Sequence, residues 1–315
     1  MKDSSAANIG KFTDPAKTAT GQERASVRLN RLETLWFNTG TLCNITCANC
    51  YINSSPTNDA LVYISAREVS GFLDQLASGE ARRCEIGFTG GEPFMNPQMI
   101  ALAETALTRG HQVLILTNAM QPMMRPKVKA GLVDLAARFG DRLTLRVSLD
   151  HHGAARHDAE RGSGSFERTL KGMDWLTAQG IRMTVAGRSL WHEDAATARA
   201  GYAALFAARG YDIDAFDPGQ TLLFPEMDLN VEVPEITTAC WDILKKSPDT
   251  VMCASSRMVV KRRGARLPTV VACTLLPYDP QFDLGETLAA ADRPVALNHP
   301  HCAKFCVLGG ASCSA

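Results

Sequence analysis

Gln112-Val113-Leu114-Ile115-Leu116-Thr117 is a short apolar run that reads as a β-strand. A helical stretch over 125–139 follows, Gly140 stops it, and 143–149 is a second apolar strand. This strand–helix–strand unit continues in both directions. Upstream, Leu32-Glu33-Thr34-Leu35-Trp36-Phe37 reads as a strand. A helix then starts at Ser65, where Ser65-Ala66-Arg67-Glu68 is a capping box and Val69, Phe72, Leu73 and Leu76 fall at i, i+3, i+4 and i+7. Strand 84–89 leads to a helix with Asn96 as N-cap and Pro97 as its first residue, ended by Gly110. Downstream come helix 165–179 stopped by Gly180, strand 182–187, helix 194–209 stopped by Gly210, and a weak sixth strand within 212–224.

Alternation of this kind is the signature of a parallel sheet covered by helices. A closed eight-unit barrel takes about 250 residues, and roughly 190 are available here. The expected fold class is therefore α/β, a partial (βα)6 TIM-like barrel with a small cysteine-rich C-terminal extension. The expected divisions are an N-terminal arm over 1–31, the barrel over 32–225 and the extension over 226–315. Parallel sheets place ligands at the carboxyl ends of their strands, where the motifs below fall.

The chain has 315 residues, 45% hydrophobic and 21% charged, which suffices for a proper core. Lys+Arg and Asp+Glu both number 33, so neither a whole-surface nucleic-acid binder nor a polybasic membrane protein is expected. No apolar run reaches the length of a membrane span. The opening Met1-Lys2-Asp3-Ser4-Ser5 lacks the apolar core of an export signal. The ten cysteines are thus expected in a reducing cytoplasm, serving metals or catalysis rather than disulfides.

Cys43, Cys47 and Cys50 form a C-x3-C-x2-C triplet on the loop after the first strand. Three thiolates can hold three corners of an iron–sulfur cube and leave one iron open to a small molecule. A structural zinc, the alternative, needs four ligands. Cys84 is the nearest fourth thiol, but it stands at the far end of its strand and reads as a core residue. The second motif, Phe88-Thr89-Gly90-Gly91-Glu92-Pro93, follows the second strand. Two glycines let a ligand approach the backbone, and Glu92 can accept bonds from a cationic amine. A tight strand-to-helix turn is the plainer reading of the same residues.

Together the two motifs resemble the radical S-adenosylmethionine (SAM) superfamily. Leu116-Thr117-Asn118, Val147-Ser148-Leu149-Asp150, Arg161-Gly162 and Gly164-Ser165-Phe166 extend the likeness, in order, to about residue 210. The resemblance implies a [4Fe-4S] cluster on Cys43, Cys47 and Cys50, with SAM chelating the open iron. It implies that Gly90, Gly91 and Glu92 contact the methionine amine. Ser148, with Asn118 or Asp150, would reach the ribose or carboxylate, Arg161 would pair with the carboxylate, and the backbone by Tyr51 would meet the adenine. One electron from the reduced cluster would then give methionine and a 5′-deoxyadenosyl radical that takes hydrogen from substrate. A low-potential donor such as flavodoxin or ferredoxin is the implied partner. Two departures stand out: Asn118 is followed by Ala119-Met120 where relatives often carry glycine, and Asp150 by His151-His152.

Six cysteines lie in the last third: Cys240, Cys253, Cys273, Cys302, Cys306 and Cys313. Cys253 and Cys273 flank a hairpin with a basic turn, Arg257 to Gly264. This tail resembles the SPASM and Twitch auxiliary-cluster domains. It implies one auxiliary [4Fe-4S] cluster held by Cys253, Cys273 and two or more of Cys302, Cys306 and Cys313, with Cys240 a weaker candidate. A zinc knot is the alternative. His151, His152 and His157 read as rim or helix-start residues. Lys261, Arg262, Arg263 and Arg266 read as a solvated hairpin tip, and Met120, Met123 and Met124 as pocket lining or loop packing. Three functions compete: hydrogen abstraction from a peptide that is oxidised or cross-linked, radical transferase chemistry on a small metabolite or cofactor, and a zinc-stabilised binding module. No leader-peptide-binding domain is evident in the first 30 residues.

Overall fold

A computed structural model describes Asn8 and residues 10–77, 84–191, 193–225 and 231–309. In chain order the elements are β1 Ser26–Val27, β2 Thr34–Asn38, α1 Ala66–Ala77, β3 Glu85–Thr89, α2 Met99–Thr108, β4 Gln112–Thr117, α3 Pro126–Phe139, β5 Leu143–Ser148, α4 Ala154–Arg161, α5 Ser165–Ala178, β6 Met183–Ser189, α6 Ala195–Arg209, β7 Thr221–Pro225, α7 Cys240–Leu244, β8 Ser256–Val260, β9 Thr269–Val271, β10 Asp283–Gly285 and β11 Val295–Ala296.

One nine-stranded sheet runs β10-β9-β8-β2-β3-β4-β5-β6-β7. Strands β8 and β2 through β7 are parallel, while β9 and β10 pair antiparallel. β1 and β11 form a separate two-stranded ribbon. The large sheet has two free edges, β10 and β7, so the expected partial barrel is open. Successive strand residues point to opposite faces. Leu35, Phe37, Ile86, Phe88, Val113, Ile115, Val147 and Val185 are buried on the face away from the ligand cavity. The other face carries Trp36, Asn38, Thr89, Ser148 and Arg188, which line that cavity.

Local sequence logic holds at most boundaries. Ser65 N donates to Glu68 Oε2 at 2.8 Å and Glu68 N to Ser65 Oγ at 3.3 Å, and Val69, Phe72, Leu73 and Leu76 are buried. The second helix starts later than its Asn-Pro signal suggests. Pro93–Met95 first makes a 3-10 turn capped by Glu92, and Asn96 Nδ2 donates to Ile64 O and Thr39 O at 2.9 and 3.3 Å. Asn96 Oδ1 also accepts from Gln98 N at 2.9 Å, so the residue caps the turn that leads into α2 while its amide ties loops together. Helix α4 has no apolar repeat to betray it, since its buried residues are His157 and Glu160.

The tail hairpin does not stand apart from the barrel strands. β8 pairs with the outer side of β2, Thr34 opposite Ser256 and Phe37 opposite Val259. Its basic residues face acids of this chain: Lys261 meets Glu68, Arg262 meets Asp283 at 2.7 Å, and Arg263 meets Asp59 at 2.8 Å. Cys84 is buried at the start of β3, and burial pushes its thiol up to about 12. Among the described residues no helix is long and apolar enough to cross a membrane.

Candidate active site

A cavity of about 160 Å³ opens at the carboxyl ends of β2 to β7. Cys43, Cys47 and Cys50 all line it, on the loop between β2 and α1. The sequence cannot show how that loop is held. Cys43 N donates to Ser55 O at 3.0 Å, and Ala48 N to Glu160 O at 2.8 Å. Asn49 Nδ2 lies 2.9 and 3.0 Å from the two Glu160 carboxylate oxygens. Arg188 on β6 donates to Asn49 O at 2.8 Å. Helix α4 and strand β6 therefore clamp the triplet from outside it.

Burial pushes the Cys43 thiol up to about 12 and raises Cys47 as well, although Arg161 and Arg188 pull Cys47 the other way. Such thiols ionise only when a metal replaces the proton. Among the described residues, the His, Cys, Asp or Glu ligand atoms gathered within 4.8 Å of one another belong to His151, His152 and Glu193, not to the triplet. A structural zinc would need a fourth ligand beside these three thiols. Asn38 Nδ2 and Ser54 Oγ, on residues lining the same cavity, are buried with no hydrogen-bond partner among the described residues. The donor set and these unspent polar atoms fit a cluster and a polar small molecule.

Gly90 and Gly91 line the cavity, but the structure gives their glycine character a different reason. Gly90 has φ +146°, and a Cβ there would lie 2.5 Å from Gly40 O; at Gly91 it would lie 2.2 Å from Leu42 O. The cysteine loop itself presses against this turn, with Gly91 N donating to Gly40 O at 2.8 Å. Glu92 differs from its sequence reading. Its side chain is 2% exposed and does not line the cavity. It accepts from Thr117 Oγ1 and Asn118 N at 2.8 Å each, and from Phe94 N at 3.2 Å. Burial pushes its carboxyl up to about 7 against those three bonds. Glu92 therefore fastens the turn after β3 to the turn after β4.

Asn118 lines the cavity, with Nδ2 donating to Asn44 Oδ1 at 2.9 Å. Ala119 takes φ +57°, the left-handed conformation that glycine adopts freely. Ser148, Asp150 and Arg161 line the cavity from β5 and α4. Arg161 Nε and Nη2 donate to Asp150 at 2.7 and 2.9 Å, and Arg188 Nε lies 3.4 Å from Asp150 Oδ1. Burial would raise Asp150, but the two guanidiniums outweigh it and hold the carboxyl below its ordinary value. The Arg188 guanidinium also sits 4.6 Å from the Tyr51 ring centroid. The sequence reading missed Arg188 and Glu160. A cation at the end of an apolar strand was the available signal for Arg188.

His151, His152 and His157 do not line the cavity, nor do Met120, Met123 and Met124. His151 Nδ1 accepts from Gly153 N at 2.8 Å, and its Nε2 lies 3.2 Å from Glu193 Oε2 and 3.0 Å from Arg156 Nη1.

In the tail, Cys253 and Cys302 are buried and Cys273 and Cys306 half-buried. Burial raises the Cys302 thiol, and the charges of Cys273 and Cys253 act on it in the same direction. Cys306 follows on the same π-helix, Cys302–Leu308. Cys240 Sγ is instead 3.4 Å from Thr237 N and Oγ1. Cys313 lies outside the described residues. Thr274 and Leu275, next to Cys273, line the cavity, and Phe305 stacks at 5.6 Å on Phe224, which also lines it.

An open parallel barrel with a thiol triplet and paired arginines at its carboxyl rim describes a cofactor-dependent α/β enzyme. Residues 37–190 match the Radical SAM superfamily, and the chain belongs to it. That superfamily uses SAM and a [4Fe-4S] cluster. Among curated relatives, the antilisterial bacteriocin subtilosin biosynthesis protein AlbA of Bacillus subtilis is 30% identical over 193 residues, 59% of this chain and 40% of the relative. The AdoMet-dependent heme synthase of Methanosarcina barkeri is 30% identical over 155 residues, 47% and 41% of the two chains. The chain thus spans less than half the length of either. The structure of Streptococcus suis SuiB bound to precursor peptide SuiA superimposes with a TM-score of 0.60 at 11% identity, covering 84% of this chain and 66% of that one.

Proposed function

We propose that this chain binds a [4Fe-4S] cluster on Cys43, Cys47 and Cys50 and SAM beside it, and uses them to abstract hydrogen from an organic substrate. The observation that carries this reading is the convergence of three thiols, Ser148 and the Asp150–Arg161–Arg188 group on one cavity. When bound, the cluster and SAM would supply one-electron cleavage of a carbon–sulfur bond and a 5′-deoxyadenosyl radical. The residues do the rest. Asp150 keeps Arg161 charged and aimed for the methionine carboxylate. Gly90, Gly91, Asn118 and Ser148 wall the cavity against the methionine and ribose ends, and Glu92 holds the Asn118 turn in register. Arg188 fixes the loop carrying Cys47 and Cys50, with Tyr51 packed beneath it on the adenine side.

We assign residues 226–315 as an auxiliary-cluster region, with Cys253, Cys273, Cys302 and Cys306 its thiols within the described residues. A reducing cytoplasm, and electron supply from a low-potential donor protein such as flavodoxin or ferredoxin, belong to the same reading. A peptide substrate is favoured, because one relative is named for bacteriocin biosynthesis and a similar fold holds a precursor peptide. The relative named heme synthase keeps a small-molecule substrate as the second reading.

Anaerobic reconstitution of the full chain should give brown protein with about eight irons, and C43A/C47A/C50A should retain about four. Incubation with SAM and a strong reductant should release 5′-deoxyadenosine from the former only. A colourless zinc protein, or iron content indifferent to the triple substitution, overturns the assignment. A mass change in a co-encoded peptide distinguishes the two substrate classes.

A further inference from the structure

Arg257, in β8, is 1% exposed. Its guanidinium donates only to carbonyl oxygens: Nη1 to Cys253 at 2.6 Å and Ser256 at 2.8 Å, Nε to Ala291 at 3.1 Å, and Nη2 to Arg293 at 3.4 Å. Among the described residues no carboxylate lies within 4.0 Å of it, and the acid that acts on it, Asp292, is exposed. Three other arginines that are largely buried face a carboxylate, Arg24 facing Glu235 and Arg161 and Arg188 facing Asp150, whereas Arg146 donates to Thr184 Oγ1 and Gly219 O. A buried cation without an anion is strongly unfavourable. The group acting most strongly on Arg257 besides burial is the Cys253 thiol. Cys253 in turn acts on Cys302 together with Cys273. These thiols are neutral when protonated, and become anionic when they ligate a metal.

We propose that Arg257 is the built-in counter-cation of a thiolate–metal centre on Cys253, Cys273 and Cys302, and that it raises that centre's reduction potential. The inference rests on the auxiliary-cluster reading above. Net charge and nearby donors set cluster potentials, so removing this cation makes reduction harder. It is a positioning residue: it touches neither substrate nor SAM.

The test uses the full chain in the C43A/C47A/C50A background, so that iron signals come from the tail alone. R257M, R257Q and R257K are reconstituted anaerobically. Iron content, midpoint potential by electron paramagnetic resonance, and urea unfolding midpoints with and without metal are measured. R257M and R257Q should show a more negative potential and a smaller gain in unfolding midpoint on loading, and R257K should restore both. Gln keeps donors for the carbonyls without the charge, so it reports even where Met does not fold. Iron present with an unchanged potential, and stability lowered equally with and without metal, makes Arg257 a mere tie between β8 and residues 291–293 and overturns the inference alone. No iron in that background overturns the tail cluster and this inference together.

Discussion

Asp150 is 2% exposed between two guanidiniums, and its charge is what allows both to stay buried. D150N should leave two buried cations without a counter-ion and cost about 3–5 kcal/mol by urea denaturation. The folded carboxyl titrates below its unfolded value. Its contribution is therefore full above pH ~4 and lost as pH falls through the folded value, a loss absent from D150N. His157 adds a second acid-sensitive window. Burial pushes its imidazole down to about 4, so below the ordinary histidine value of about 6.5 the unfolded chain takes up a proton that the folded chain refuses. Stability should fall as pH drops from about 6.5 to about 4, with a shallower slope in H157N. Residue types at this scale were legible in the sequence, but the direction of Glu92 was not. Its carboxylate turns toward Thr117 and Asn118 because their donors converge there, at the end of β4 and 25 or more residues away.

The turns after β3 and β4 and the cysteine loop form one assembly packed backbone to backbone. Gly172 on α5 shows how tight it is: a Cβ there would lie 1.9 Å from Ala119 O, an atom that cannot move without the Asn118 turn. G172A should destabilise the protein by about 1–3 kcal/mol and weaken SAM binding, measured by denaturation and calorimetry. A119G keeps the same φ and should change stability by no more than about 1 kcal/mol. Strands, capping box and glycine stops were readable because they depend on local periodicity and backbone freedom. Helix α4 was not, because it buries histidine and glutamate against the cysteine loop rather than an apolar stripe against the core.

The whole molecule is bound together by β8. Its pairing with β2 places the tail hairpin within the main sheet, and Thr274, Leu275 and Phe305 bring the tail to the cavity wall. A chain ending at residue 225 would leave the outer edge of β2 unpaired. Such a truncation should lose hydrogen-exchange protection at Leu35, Trp36 and Phe37 and aggregate, whereas retained protection would show that the barrel strands stand alone.

The alternation of strands β2 to β7 with helices α1, α2, α3, α5 and α6, the open parallel architecture and the positions of the thiols came from sequence alone. Periodicity, glycine stops and cysteine spacing act over a few residues, and tertiary contacts left most of them intact. Tertiary structure alone decided that Glu92 faces inward, that Gly90 and Gly91 make room for the cysteine loop, and that Arg188 and Glu160 hold it. It also decided that Arg257 lies buried without a carboxylate. Each of these depends on groups distant in sequence being brought within 3 or 4 Å, and only the closed packing of the chain fixes which donors, charges and backbones meet.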